Sequence, residues 1–146
     1  MSQAIHVTGG NHAGARSKRG LESYKTAAPA VDAMVAVEPL PMGCWDPCGS
    51  DDDQIALRLR AHGKTCVATD IARDGIDFRT RRQAPSGVEA IVMNPPFSKA
   101  AEFVVCSLML VPKVLCLQRI QFLESETRAP LFDAGVLARI HWPITA

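Results

Sequence analysis

The 146-residue sequence predicts an α/β domain built on a mainly parallel sheet with helices on both faces. Three observations predict it. Short apolar runs rich in β-branched residues alternate with stretches whose apolar positions recur every three or four residues, the pattern of strands joined by crossover helices. The first run ends at Asp46-Pro47, the second at Asp70 and the third at Asn94-Pro95-Pro96, residue types that turn a chain. The length is near the ~150 residues of a single domain. A composition of 47% hydrophobic and 21% charged residues supplies one core.

Residues 1–22 are rich in Gly, Ser, Ala and basic side chains and show neither period, so they read as a flexible basic N-terminal arm before a folded domain over residues 23–146. Arg16, Lys18 and Arg19 are candidate phosphate contacts there, a solvated tail being the plainer reading. Over Pro29 to Val37, Val31, Met34 and Val35 form one face of a short helix with proline near its start. Met42 to Trp45 is a first strand before an Asp-Pro turn. Asp52 to His62 is a helix carrying Ile55, Leu57 and Leu59, with Gly63 at its C-terminal end. Lys64 to Asp70 is a second strand and Glu89 to Met93 a third. Ser98 fits the N-cap of a helix from Lys99 to about Leu110, which Pro112 closes. Val111 to Leu117 reads as a buried strand, and Val136 to Trp142 as a strand near the sheet's edge or end.

Composition excludes several classes. Sixteen Lys and Arg against fifteen Asp and Glu give a formal charge of +1, so any nucleic-acid contact has to be local rather than a product of bulk charge. The longest apolar stretch, Phe103 to Leu117, is interrupted by Ser107, Pro112 and Lys113 and falls short of the ~20 residues of a membrane span. The N-terminus shows no apolar leader core, and a cytoplasmic location is expected. Cys44, Cys48, Cys66, Cys106 and Cys116 are odd in number and read as free thiols. Cys44, Cys48 and Cys66 with His62 lack the paired-knuckle spacing of a zinc site, and no metal is expected.

In an open parallel sheet, ligands bind outside the carboxyl ends of the strands. Three signals fall there. The first is WDPCGS, Trp45 to Ser50, an acid followed by a glycine turn before a helix whose N-terminus offers N–H groups. The second is Asp70, at the end of the next strand, where a carboxylate can accept both hydroxyls of a ribose; a plain N-cap is the competing reading. The third and most specific is Asn94-Pro95-Pro96-Phe97. Two prolines fix a rigid turn and remove two donors, leaving acceptors outward. The Asn94 side-chain oxygen and the Pro95 carbonyl can accept from a planar amino group, drawing its nitrogen toward the sp3 form a nucleophile needs. Phe97 offers a face for a base to stack on.

IVMNPPF, with WDPCG and VATDI upstream, resembles the S-adenosylmethionine-dependent DNA N(6)-adenine methyltransferase family, particularly its small phage and prophage members. The resemblance spans Tyr24 to about Trp142. It implies a Rossmann-like class I methyltransferase fold, reduced at the C-terminus, and a catalytic role for Asn94, Pro95, Pro96 and Phe97. It also implies S-adenosyl-L-methionine as cofactor, held by Asp46, Pro47 and Gly49, with Asp70 and Ile71 at the ribose. Asp77-Phe78 matches the pair beside the cofactor adenine. Tyr24-Lys25-Thr26 is similar to the segment that closes over the methionine end, giving Tyr24 and Thr26 cofactor contacts.

The loop DPCGSDDDQ departs from the family pattern: one residue is missing before Gly49, the second glycine is gone, and Asp51, Asp52 and Asp53 stand in its place. These carboxylates cap a helix or oppose the cofactor's own carboxylate. The 49 residues after Phe97 are used by the fold, so sequence specificity would come from a loop or a separate specificity partner. The expected function is methyl transfer to the exocyclic amino group of adenine, flipped or single-stranded, in DNA. Two alternatives stand beside it: a methyltransferase for an RNA base or a protein glutamine, and a non-catalytic methyltransferase-like remnant. No membrane partner is expected, and the oligomeric state is open.

Overall fold

A computed structural model describes residues 4–9, as backbone, and residues 25–142. Its strands are β1 (Ala4–Gly9), β2 (Gly43–Asp46), β3 (Thr65–Ala68), β4 (Ala90–Met93), β5 (Lys113–Gln118) and β6 (Leu137–His141). They form one sheet in the order β3-β2-β4-β5-β1-β6, and every neighbouring pair is parallel. The helices are α1 (Ala28–Val37), α2 (Gln54–Ala61), α3 (Ile71–Asp74), α4 (Ala100–Leu110) and α5 (Ala129–Asp133).

Strand periodicity divides the core in two. Trp45, Ile91, Met93, Val114 and Cys116 pack on one face against Phe103, Val104 and Leu108 of α4. Their sequence neighbours Cys44, Ala90, Val92 and Leu115 face the other way, onto Val31 and Met34 of α1 and Ile55, Ala56 and Leu59 of α2. Covered on both faces, β4 is buried at all four positions, whereas β3, at the sheet's edge, alternates exposed and buried. The five cysteines are unbridged.

Local signals set the helix ends. The Asp53 carboxylate accepts from the Gln54 N–H at 2.7 Å and so caps α2, while Gly63, at φ +82°, releases the chain toward β3. Behind α1 the Glu38 side chain is fully buried. Arg139 donates to it at 2.5 and 3.0 Å, His141 lies at 2.7 Å and Lys113 at 3.0 Å, which fastens α1 to β5 and to the edge strand β6.

Two expectations need correction. Ala4–Gly9, read above as part of a flexible arm, forms β1, inserted between β5 and β6. Its partners begin at Lys113, so the interaction that defines it is long-range and left no local signature. The rest of the arm, including Arg16, Lys18 and Arg19, lies outside the described residues, as does Tyr24. Ser98 is not an N-cap: a single 3-10 turn over Phe97–Lys99 precedes α4, whose N-cap is Lys99 without a side-chain bond. The prolines before it hold the chain in a shape that enters the helix through this tighter turn.

Strand order reverses between β2 and β4. From β2 the chain proceeds outward to β3, and from β4 it proceeds the other way to β5. The two loops that carry the specific motifs therefore leave adjacent parallel strands at the point where such sheets open a crevice.

Candidate active site

The loop after β2 is built around Asp46. Its carboxyl is buried, Oδ1 accepts from the Cys48 N–H at 3.1 Å, and Oδ2 is buried without a hydrogen-bond partner. Burial, first, and the neighbouring carboxylates Asp53 and Asp70 push its pKa up to about 7; the Cys48 N–H works against them. Gly49 is required by this arrangement, because a Cβ there would lie 2.0 Å from Asp46 Oδ2. Pro47 is buried beside them.

The loops after β2 and β3 are zipped together. Gly49 N–H donates to the Thr69 carbonyl at 3.1 Å, Thr69 N–H to the Asp46 carbonyl at 2.9 Å, and Trp45 Nε1 to Thr69 Oγ1 at 2.9 Å. Between them lies a cleft of about 340 Å³ lined by Cys48, Gly49, Ser50, Asp53, Asp70, Ala72 and Arg73. Asp70 Oδ1 accepts from the Ala72 N–H at 2.8 Å, so it caps α3 and lines the cleft at once. Ile71, beside it, is 51% exposed. Arg73 donates to the Ala68 carbonyl at 2.6 Å and pairs with Asp74.

The three substituted aspartates take different roles. Asp51 pairs with Arg60 at 2.7 Å, and Asp52 accepts from the Ser50 hydroxyl, which holds its pKa low. Asp53 is the one that lines the cleft. Burial, then the Asp52 charge, raises its pKa.

The loop after β4 sits next to this assembly. Pro95 is buried and Asn94 is half-buried, with Asn94 Nδ2 donating to Thr26 Oγ1 at 3.2 Å. The Thr26 residue, 4% exposed, thus braces the Asn-Pro-Pro loop. The pKa of the Cys48 thiol, on a half-buried residue at the cleft, is pushed well above its usual value by desolvation and by the Asp46 carboxylate, while a backbone hydrogen bond from Asn94 acts in the opposite sense. That bond ties the two motif loops to each other. Phe97 is half-buried, and the Arg119 guanidinium lies 4.3 Å from its ring centroid.

Asp46, Pro47, Gly49, Asp70, Thr26 and Asn94 through Phe97 are thus gathered at the carboxyl ends of β2, β3 and β4. Of the expected cofactor residues, Gly49 and Asp70 line the cleft, whereas Thr26, Asp46, Pro47, Ile71, Asp77 and Phe78 do not. Asp77 grips the Arg79 guanidinium at 2.7 Å, which holds its pKa low, and Phe78 is 4% exposed, packed edge-on against Trp45 with centroids 5.2 Å apart. Sequence reasoning missed Cys48, Arg73 and Arg119. Arg119 had a usable signal: it follows the strand predicted over Val111 to Leu117, at the carboxyl end where site residues gather.

No family model, curated protein or solved structure matches this chain.

Proposed function

We propose that the chain is an S-adenosylmethionine-dependent methyltransferase acting on the exocyclic amino group of adenine in DNA. The observation that carries this reading is the juxtaposition of the Asp46–Gly49 and Asn94–Phe97 loops at the ends of adjacent parallel strands, bridged by the Asn94 backbone and the Cys48 sulfur.

The residues present fit the cofactor. Asp46 Oδ2, buried and without a partner, is an acceptor for an ammonium group, and the Asp70 carboxylate is an acceptor for ribose hydroxyls. When bound, S-adenosylmethionine supplies an electrophilic methyl group on a sulfonium. The chain's own part is positioning. Asn94, whose amide nitrogen donates to Thr26, carries the amide oxygen that accepts from the acceptor's amino group, and the Pro95 carbonyl offers a second acceptor in a turn that two prolines keep rigid. Hydrogen bonds to both amino hydrogens localise the nitrogen lone pair, and Phe97 holds the ring plane by stacking.

One observation favours the remnant reading. Asp53 caps the first N–H of α2 and carries a carboxylate into the cleft, where a glycine-rich loop would leave that N–H for the cofactor. Calorimetric titration with S-adenosylmethionine separates the two, since the enzyme requires binding and the remnant does not. Transfer of a tritiated methyl group to DNA, RNA and protein substrates in parallel then identifies the acceptor.

A further inference from the structure

The loop after β2 is an unfavourable place for an anionic ligand group. Asp53 brings a carboxylate to the cleft and already occupies the Gln54 N–H at the start of α2, so that backbone donor is lost to a ligand's own carboxylate. Asp51 and Asp52 are settled locally, the first by Arg60 at 2.7 Å and the second by the Ser50 hydroxyl. Arg73, the cation that lines the cleft, is tied to Asp74 and to the Ala68 carbonyl. A cation for such a group has to come from another segment.

Lys25 is placed to supply it. Its neighbour Thr26 is 4% exposed and bonded to Asn94 at 3.2 Å, which fixes the segment before α1 against the loop after β4. From there the exposed Lys25 side chain bears on the loop after β2. Its charge adds to the Ser50 hydrogen bond that chiefly lowers the Asp52 pKa, and opposes the burial that chiefly raises that of Asp53. Lys25 nevertheless makes no ion pair or hydrogen bond with either aspartate, nor with any other described residue. Attraction at a distance holds the ammonium near the cleft without spending it on a contact.

We propose that Lys25 receives the carboxylate of the cofactor's amino-acid end, in place of the backbone donor that Asp53 has taken. The inference rests on the S-adenosylmethionine reading of the cleft and deepens it, because it makes the aspartate loop compatible with that end of the ligand. A compact ammonium on a flexible four-carbon stem suits the task, since it can follow a carboxylate to wherever Asp53 leaves room. The resulting N–H···O bond is charge-assisted on both sides.

The test is calorimetric titration of the full chain with S-adenosylmethionine and with its decarboxylated form, which keeps the ammonium and the sulfonium and lacks only the carboxylate. Wild type, Lys25→Met and Lys25→Arg are compared; the side chain is exposed, so neither substitution reaches the core. Lys25→Met should weaken S-adenosylmethionine roughly tenfold relative to the decarboxylated compound, and Lys25→Arg should keep the wild-type ratio. A lysine that merely offsets Asp52 and Asp53 gives a different result. Its loss makes the cleft more negative and tightens both compounds, since each is a net cation. An unchanged ratio in Lys25→Met, or tighter binding of both compounds, overturns the carboxylate assignment and leaves the cofactor reading intact. Failure of the wild type to bind either compound overturns both. A ratio that depends on Lys25, without methyl transfer to any substrate, keeps the assignment and removes the enzyme.

Discussion

Asp46 is the residue on which the site's electrostatics turn. Its folded-state pKa of about 7 lies above the ordinary 3.8, so the folded protein binds a proton that the unfolded chain releases. Stability from this group is therefore full below pH 3.8 and declines as pH rises through 7, by at most about 4 kcal/mol. Asp46→Asn should remove that slope. Urea titrations at several pH values should show the variant gaining on the wild type between pH 4 and 8, and a constant difference would mean the carboxyl is not desolvated as described. Because a cationic ligand group needs the ionised carboxylate, cofactor affinity should rise with pH through the same window.

Gly49 belongs to the same residue-scale argument. A methyl group 2.0 Å from Asp46 Oδ2 has to displace a buried carboxylate. Gly49→Ala is therefore expected to cost about 1–3 kcal/mol of stability and roughly tenfold in cofactor affinity, read by denaturation and calorimetry. The importance of this glycine was legible from WDPCGS; the reason was not. The sequence suggests close approach of a ligand, whereas the structure shows the close neighbour to be the protein's own aspartate. Thr26 illustrates a different limit. Thr26 sits in a segment read as a cofactor lid, and its bond to Asn94 joins residues far apart in the chain, which no local pattern encodes.

At the scale of elements, what could be read in advance depended on how much of each element's stability is local. α2 shows its signals in sequence, with Asp53 at its start, Ile55 and Leu59 on one face and Gly63 past its end, and β4 is a continuous apolar run because both its faces are covered. β1 and α3 were not read. β1 exists through its register with β5 and β6, and α3 is a single turn held by the Asp70 cap and by Asp74 accepting from the Asp70 N–H at 2.8 Å. The edge strand β6 was read correctly, but not what holds it. Besides its pairing with β1, its attachment uses Glu38, buried among Arg139, His141 and Lys113. Glu38→Gln should cost about 3 kcal/mol, the low end for breaking a buried ion pair, because half-exposed Arg139 can rehydrate. Hydrogen exchange should quicken first in β6, and uniform loss of protection would place the network's role elsewhere.

For the whole molecule, the topology is what makes the proposed chemistry reasonable. A single parallel sheet reverses its strand order between β2 and β4, and the acidic and Asn-Pro-Pro loops meet there. The fold was legible because its alternation of strands and helices survives in the hydrophobic pattern, and the motif loops were legible because their prolines and glycine are rare at such spacing. The central claim is that Asn94 receives the amino group to be methylated. The most direct test is transfer of tritiated methyl from S-adenosylmethionine to adenine-containing DNA by the wild type and by Asn94→Ala, with cofactor affinity of both proteins measured by calorimetry. The account predicts labelled adenine from the wild type, a loss of about 10²–10³-fold in turnover for the variant, and cofactor affinities within a few fold of each other. Equal turnover in the two proteins, or no label in DNA from wild-type protein that binds the cofactor, would contradict it.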